Sequence, residues 1–374
     1  MKFNYFHLMP WTDTEETDKD WPVPNRAFIP ERATGLYNTY IDTMTYAEEC
    51  GFDWIGCNEH HFSPYGLMSN CNLVGSVLIQ RTKTARIAML GNLVPLLNPL
   101  RVAEEYAMLD VMSGGRLIAG FMRGIPHEYV AYNIAPNESW ARLEEATELI
   151  IKAWTEPEPF GWEGKFYKYR AVSIWPRPVQ QPHPPILMSA SSPKSARFAA
   201  RHHAKMGMVM LTDLDMARDC IRIYKETARE HGWEPEVDDI LVGTHTFVDE
   251  DPEIAKKHLG DGLHFFYHVL FGGPRTAQRR VVQGTRYYEE DANRKRLAAR
   301  LSSLRGTTIE ERIENHMVLC GTPDMVIDQI KTLHDELGHG VMNINMKIGD
   351  IPDDAVRSSM KLCGQYVVPA VRDL

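Results

Sequence analysis

The sequence predicts an α/β protein in which eight parallel strands close into a (β/α)₈ barrel, the TIM barrel, with insertions. Short apolar segments alternate with amphipathic ones along the chain, which indicates parallel strands connected by helices. The alternation repeats eight times, and this favours a closed barrel over an open sheet. A length of 374 residues is ordinary for one barrel with insertions. Because no change of composition divides the chain, we expect residues 1–374 to form a single domain.

The first half of the chain supplies four strand–helix pairs with recognisable ends. Pro10 ends the first strand, Gly51 follows the first helix, and Gly114 follows the third helix, as C-terminal stop signals do. The predicted strands are FNYFHLM (3–9), FDWIGC (52–57), ARIAMLGNLVP (85–95) and RLIAGFM (116–122), and the predicted helices are LYNTYIDTMTYAEECG (36–51), NLVGSVLIQRT (72–82), RVAEEYAMLDVMSGG (101–115) and SWARLEEATELIIKAWTE (139–156).

The second half completes the barrel. Pro193 stands in the first turn of one helix, where its missing N–H costs nothing. His202 and His203 end that helix, and we interpret them as structural residues that suit the helix dipole. The predicted strands are PPILMSA (184–190), KMGMVML (205–211), ILVGTHTFV (240–248) and VMNINMK (341–347), and the predicted helices are SPKSARFAARHHA (192–204), LDMARDCIRIYKETAREHG (214–232) and TPDMVIDQIKTLHDELG (322–338).

Two segments exceed the minimal barrel. Residues 156–185 are rich in Pro, Trp and Tyr, and residues 260–318 are long, polar and charged. Insertions of this length are often functional lids, which is the role we expect for residues 260–318. Residues 264–268, with three aromatics between two histidines, suit either a substrate pocket or a packed helix face. The basic run at 293–306 suits a solvated helix face, or a cover over a bound phosphate.

Composition excludes several classes of protein. A net charge of -9 and a pI near 5.9 argue against binding nucleic acid through phosphate contacts. Because no window approaches the roughly 20 apolar residues of a membrane span and the N-terminus lacks the pattern of a signal peptide, we expect a cytoplasmic protein. The six cysteines form no C-x-x-C pair, so we expect reduced thiols and no metal site.

Functional residues of a barrel lie at the C-terminal ends of its strands. The residues there include donors and histidines but lack the carboxylate cluster of a hard-metal site. They are His7 and Met9, then Asn58, Glu59, His60 and His61, then Leu90, Gly91 and Asn92, then Met122, Arg123 and Gly124, then Ser189, Ser191 and Ser192, and finally Asn343, Asn345 and Lys347.

Two of these groups indicate specific chemistry. NEHHFSPYG (58–66) follows the second strand and suits an acid/base pair or a cofactor cap, and a plain solvated loop is the alternative. Shared metal ligation is disfavoured because adjacent residues on an extended chain point in opposite directions. SASSPKS (189–195) opens a helix, so its free N–H groups and hydroxyls would face an anion such as a phosphate. Plain N-capping by Ser191 or Ser192 is the alternative. The G-x-G-x-x-G fingerprint and the P-loop are absent, which leaves a mononucleotide with one phosphate anchor possible.

Four segments together resemble the bacterial luciferase-like family of flavin-dependent oxidoreductases. They are GFDWIGCNEHHFSPYGL, NLVPLLNPLRVAEEYAMLDVMSGGRLIAGFMRG, WPRPVQQPHPPILMSASSPKSARFAARH and CGTPDMVIDQI. The resemblance implies a luciferase-like barrel that binds FMN, usually as FMNH₂ delivered by a separate NAD(P)H:flavin reductase. It further implies that O₂ adds at flavin C4a, that the peroxide oxygenates a small organic substrate, and that the chain forms a dimer or tetramer.

The resemblance also assigns residues. His60 matches the acid/base histidine of the family, with Glu59 and His61 beside it. Leu90 and Gly91 match a non-proline cis peptide under the flavin ring. The other expected cofactor-binding residues are Asn92, Met122, Arg123 near the phosphate, Gly124, and Ser189, Ser191 and Ser192 of the phosphate segment.

Two departures bear on the activity. Met122 stands where luciferase has a reactive cysteine, and Met188 stands where luciferase has an acid. The first departure puts luciferase-like light emission in doubt. We expect an FMNH₂-dependent monooxygenase. An F420-dependent reductase or dehydrogenase on the same fold, and a non-catalytic flavin-binding protein, are the alternatives.

Overall fold

Eight parallel strands form a closed barrel, as predicted. The structure is a computed structural model that describes residues 1–14, 21–286 and 304–374. Neighbouring strands pair in the order β1, β2, β3, β4, β7, β8, β9, β11, and β11 pairs again with β1. These strands are β1 (Lys2–Phe6), β2 (Trp54–Cys57), β3 (Arg86–Met89), β4 (Leu117–Phe121), β7 (Ile186–Ser189), β8 (Lys205–Met208), β9 (Ile240–Val248) and β11 (Val341–Asn345).

Helices surround the barrel and bury their apolar faces against it. The side chain of Asn98 caps α3 by accepting the N–H groups of Leu100 and Arg101, and Gly114 ends that helix at φ +65°, in the left-handed conformation that glycine favours. The helices of the first half are α1 (Pro30–Glu49), α2 (Cys71–Arg81), α3 (Pro99–Ser113), α4 (Pro126–Ala131) and α5 (Ser139–Thr155). Those of the second half are α6 (Pro193–Arg201), α7 (Leu214–Glu230), α8 (Pro252–Phe265), α9 (Gly272–Gly284), α10 (Ile309–Glu314), α11 (Pro323–Leu337), α12 (Asp353–Leu362) and α13 (Val368–Ala370). Short 3-10 turns lie at Asn25–Ala27, Val94–Leu96, Pro136–Glu138 and Val237–Asp239, and a π-helical turn at Cys363–Val367 precedes α13.

A further strand, β10 (Val318–Gly321), extends the sheet beyond the eight predicted strands. The first half of β9 closes the barrel, and its second half pairs in parallel with β10, residue 245 with 318 through residue 248 with 321. The prediction missed β10 because VLCG is short and stands directly after the segment that was assigned as a lid.

The segment 156–185 forms an antiparallel hairpin of β5 (Phe160–Glu163) and β6 (Lys168–Val172). The carboxylate of Glu145 on α5 accepts the backbone N–H groups of Phe166 and Tyr167, each at 2.9 Å, and the indole N–H of Trp162 at 3.2 Å. This carboxylate fastens the hairpin to α5 on the outside of the barrel.

The described part of the segment 260–318 is largely helical. α8 continues into a π-helical turn at Phe266–Leu270, followed by α9, and α10 precedes β10. The ring of Phe266 lies 5.7 Å from that of Tyr65 and 6.0 Å from that of His245, centre to centre, so the insertion packs over the C-terminal end of the barrel. Most of the basic run at 293–306 lies outside the described residues.

Two general findings concern the described ranges. No helix in them is long and apolar enough to cross a membrane. They also contain no group of three or more His, Cys, Asp or Glu side chains that could hold a metal ion. All six cysteines are buried free thiols.

Candidate active site

A cavity of about 410 Å³ opens at the C-terminal ends of the barrel strands, where the sequence placed the site. This volume lies in the usual range for sites that bind cofactors and small molecules. Of the residues assigned to catalysis or cofactor binding, all except His61, Gly91 and Asn92 line it. Of the other candidates at the strand ends, Asn58 lines it, whereas His7, Met9, Asn343, Asn345 and Lys347 do not. The predicted residues that do so are Glu59, His60, Leu90, Met122, Arg123, Gly124, Ser189, Ser191 and Ser192, and the residues that the prediction did not include are chiefly Phe6, Leu93, Phe121, Glu128, Trp140, Leu143, Phe198, Val209, Met210 and Met216.

His60 is paired with a carboxylate that sequence reasoning missed. Its Nδ1 lies 3.0 Å from Oε1 of Glu128, whose side chain is fully buried. Because an ionised carboxylate only accepts hydrogen bonds, Nδ1 carries the proton that it donates to Glu128, and Nε2 remains for other chemistry. The sequence separates the two residues by 68 positions, so only the fold brings them together.

Glu128 itself is held in its ionised form. Burial alone would raise the pKa of this carboxyl, but the hydrogen bond from His60 and the backbone N–H of Ile125, at 2.8 Å from Oε2, hold the pKa below its usual value. The bond to Ile125 also stabilises the start of α4, since it satisfies an N–H group that the helix leaves unpaired. A carboxylate in the third position of a helix that starts with proline is the local signal that could have drawn attention to Glu128.

Glu59 and His61 form a second pair of a histidine and a carboxylate. Nε2 of His61 lies 3.2 Å from Oε1 of Glu59, and both side chains are buried. Nδ1 of His61 lies 3.1 Å from the hydroxyl of Tyr132. The adjacent histidines thus have different hydrogen-bond partners.

The end of the third strand differs from the expectation in one respect. Among the described residues the cis peptide bonds all precede proline, so the bond between Leu90 and Gly91 is trans. A tight turn needs no cis bond here, because the N–H of Leu90 donates to the carbonyl of Ala88 at 3.0 Å and Asn92 adopts φ +34°.

Gly91 and Asn92 do not line the cavity but pack against residues 58, 71 and 72. A Cβ at Gly91 would lie 2.7 Å from Sγ of Cys71 and 2.9 Å from the carbonyl carbon of Asn58. The amide of Asn92 donates to Oδ1 of Asn72 at 2.7 Å. Glycine is therefore required by the close approach of these side chains and backbone.

The segment SASSPKS caps a helix and also lies at the cavity. Ser192 is the N-cap of α6 and accepts the N–H of Ser195, so the capping interpretation is confirmed. Ser189, Ser191 and Ser192 also line the cavity, together with Arg123.

Two cationic side chains, Arg123 and Lys194, lie at this segment. The guanidinium of Arg123 lies 4.7 Å from the ring centre of Trp140, and the ammonium group of Lys194 lies 4.6 Å from the same centre. Trp140, which the prediction omitted, thus contacts two cations beside the start of a helix. Such a place favours an anion.

The residues fit a phosphate-bearing aromatic mononucleotide such as FMN. Hydroxyls and Arg123 at one end suit a phosphate, and apolar walls such as Leu90 and Phe121 suit a planar ring system. Asn58 lines the cavity with only 1% of its surface exposed, and its Oδ1 finds no hydrogen-bond partner within the described residues. A buried acceptor of this kind suits an N–H group of a bound ring.

Comparisons with known proteins agree with this geometry. The oxygenase component of the flavin-dependent trigonelline monooxygenase of Acinetobacter baylyi is 26% identical over 288 residues, which are 76% of this chain and 74% of that protein. Monooxygenase RslO1 from Streptomyces bottropensis has a TM-score of 0.77 and 26% identity over 99% of both chains. An F420-dependent secondary alcohol dehydrogenase has a TM-score of 0.71 over 100% of this chain and 99% of its own, but at 18% identity it shows the fold alone.

The family follows from a match over most of the chain. The profile of the luciferase-like monooxygenases matches residues 22–340, a range that includes His60, Arg123 and the segment SASSPKS. The chain belongs to the luciferase-like monooxygenase family.

Proposed function

We propose that the chain is the oxygenase component of a two-component flavin-dependent monooxygenase. It would take reduced FMN from a separate NAD(P)H:flavin reductase and use O₂ to oxygenate a small organic molecule. The observation that carries the proposal is that one cavity is lined by Arg123 and the serines of SASSPKS and also by a histidine that a buried carboxylate holds. Reduced flavin supplies the two electrons of the reaction, in which one oxygen atom enters the substrate and the other leaves as water.

Residues of this cavity would hold the cofactor. Arg123 with Ser189, Ser191 and Ser192 would bind the phosphate, and the apolar residues Leu90, Met122 and Phe121 would contact the ring system. Gly124, at φ +84°, lets the chain turn directly after Arg123. The apolar walls exclude water, which protects the reaction from futile loss of oxygen as H₂O₂.

His60 moves the proton. Its Nδ1 is engaged by Glu128, so Nε2 is the atom that gives or takes a proton at the reacting oxygen. An imidazole suits this role because it titrates near neutral pH. Glu59 and His61 position the loop that carries His60, through the bonds of His61 to Glu59 and Tyr132.

The test separates cofactor binding from coupled oxygenation. We expect His60→Ala to bind FMN with unchanged affinity, measured by quenching of flavin fluorescence, and to convert O₂ into H₂O₂ instead of product. His231 is exposed and caps the C-terminal end of α7. The matched control is His231→Ala, which should retain coupling. Unchanged product yield in His60→Ala would refute the assignment.

The same assay distinguishes the rival cofactor. Reduced FMN and reduced F420 are each supplied with candidate substrates, and O₂ consumption is recorded. The proposal predicts O₂ consumption and product with reduced FMN. Substrate reduction by reduced F420 without O₂ consumption would replace it with the F420-dependent alternative.

A further inference from the structure

A second cavity of about 720 Å³ lies beside the cavity of about 410 Å³ described above, which we call the flavin-type cavity. It is bounded by residues 11–14 and 22–28, which lie between β1 and α1, and by residues 60–69, which lie between β2 and α2, and we name it the side chamber. Its lining includes Trp11, Phe28, Tyr37, Phe62 and His60. Among the described lining residues, His60 is the one that the two cavities share.

The lining of the side chamber is apolar and aromatic. Four aromatic rings line it, together with three prolines, at positions 22, 24 and 64. None of the described lining residues is Asp, Glu, Lys or Arg, whereas the flavin-type cavity contains Glu59, Arg123 and Glu128. Burying a charge without a partner is costly, so this lining disfavours a charged ligand. Asn25, Ser63 and Ser69 supply an amide and two hydroxyls that can fix the orientation of a polar substituent.

The walls of the chamber are joined by hydrogen bonds between its two loops. The N–H of Trp11 donates to the carbonyl of Pro64 at 2.7 Å, and the N–H of Leu67 donates to the carbonyl of Met9 at 2.8 Å. The hydroxyl of Tyr37 on α1 donates to the carbonyl of Leu67 at 2.6 Å. These bonds hold the backbone at Trp11 and the ring of Tyr37 to the loop that carries His60.

The position of His60 connects the chamber to the reaction. The His60 side chain keeps 20% of its surface exposed although Glu128, its partner, is fully buried. A Cβ on Gly66 would lie 3.3 Å from Cβ of His60 and 3.6 Å from its Cδ2, so the absence of a side chain at Gly66 leaves this flank of the imidazole uncovered. Gly66 lines the side chamber.

We propose that the side chamber binds the organic substrate, and that this substrate is an uncharged planar aromatic molecule with one or two polar substituents. The inference rests on the proposed function for the identity of the reaction. The binding chemistry follows from the lining of the chamber and is tested without turnover.

The test uses indole as a neutral planar probe and indoleacetate as its charged counterpart. Binding to the full-length protein without flavin is measured by NMR titration, and the ring signals of His60 are identified by their loss in His60→Gln. We expect indole to bind and to shift the His60 signals, and indoleacetate to bind about tenfold or more weakly because of the uncharged lining.

A filling variant locates the probe. Ala27 lines the chamber and is exposed, so Ala27→Trp places a ring in the chamber without disturbing the core. The matched control is Ala171→Trp at an exposed position of β6. We expect Ala27→Trp to weaken indole binding about tenfold or more and the control to leave it unchanged, with equal FMN affinity in all proteins.

The outcomes separate the inference from the proposed function. Indole binding that Ala27→Trp does not weaken, or that leaves the His60 signals in place, would overturn the inference, as would tighter binding of indoleacetate. Failure to oxygenate with reduced FMN would refute the proposed function alone, because the NMR experiment involves neither flavin nor O₂.

Discussion

At the scale of single residues, the contact between His60 and Glu128 determines the orientation of the proton-transferring ring. Glu128 is an acceptor at Nδ1 of His60, and its second oxygen is occupied by the N–H of Ile125. The carboxylate therefore cannot rotate without giving up a hydrogen bond in a buried place, which is costly. The ring is held by a group that is itself fixed by the start of α4.

We predict that Glu128→Gln uncouples the reaction without impairing cofactor binding. The amide can present a donor to Nδ1, which favours the other tautomer of His60, so the product yield should fall by about 10- to 100-fold. FMN affinity, measured by fluorescence quenching, should stay the same because the phosphate end is untouched. The control is Glu148→Gln, at an exposed position of α5. Full coupling in Glu128→Gln would show that Glu128 does not position His60.

At the scale of elements, the turn at the end of the third strand packs against α2 and against the backbone that follows β2. Gly91 approaches Cys71 on α2 and the backbone after β2, so one residue joins three elements. The N–H of Asn92 also donates to Sγ of Cys71 at 3.3 Å. The turn therefore depends on close contact between β3 and α2.

We predict that Gly91→Ala destabilises the protein by about 1–3 kcal/mol, since an added methyl group must displace Cys71 or the Asn58 backbone. Urea unfolding at neutral pH measures the change. Gly35→Ala is the control, because a Cβ at Gly35 meets nothing within 4 Å and alanine favours the interior of α1. A Gly91→Ala protein as stable as the wild type would mean that the turn shifts freely.

These elements also show what the sequence can predict and what it cannot. Ser192, Pro193 and Gly114 act within their own helix ends, and local signals of this kind predicted where α6 begins and where α3 ends. The pairing of His60 with Glu128 and the addition of β10 to β9 depend on contacts between distant segments, which periodicity does not encode.

The prediction of a cis peptide bond between Leu90 and Gly91 was wrong for a related reason. The cis bond was inferred from a resemblance, whereas the turn is formed by the N–H of Leu90 and the positive φ of Asn92. Nine predicted site residues line one cavity because strand ends converge in a barrel, and this part of the site needed only the order of the strands.

At the scale of the whole molecule, buried histidines make the fold sensitive to acid. His7, His127, His245 and His339 lie in four separate parts of the chain. Burial lowers the pKa of His7, His245 and His339 to about 3 and that of His127 to about 4. These four side chains stay uncharged in the folded protein at pH values where the unfolded chain takes up protons.

We predict that the free energy of unfolding falls as the pH drops below about 6.5. The unfolded chain binds protons there and the folded protein does not, so stability is complete above pH 6.5 and is lost toward pH 4, by about 2 kcal/mol for each histidine between pH 7 and pH 5. The lowered pKa of Glu128 adds a loss in the same direction at lower pH, as its carboxylate is protonated.

Urea unfolding at a series of pH values from 7.5 to 5 measures this slope. His339→Leu, which takes up no proton in either state, should reduce the slope by the contribution of one histidine. The wild-type slope reports these four histidines together with His202, whose pKa burial also lowers to about 4. A stability that stays constant between pH 7 and pH 5 would mean that these side chains are protonated in the folded barrel. Activity recorded over the same pH series distinguishes loss of catalysis through acid unfolding from loss of activity in the folded protein.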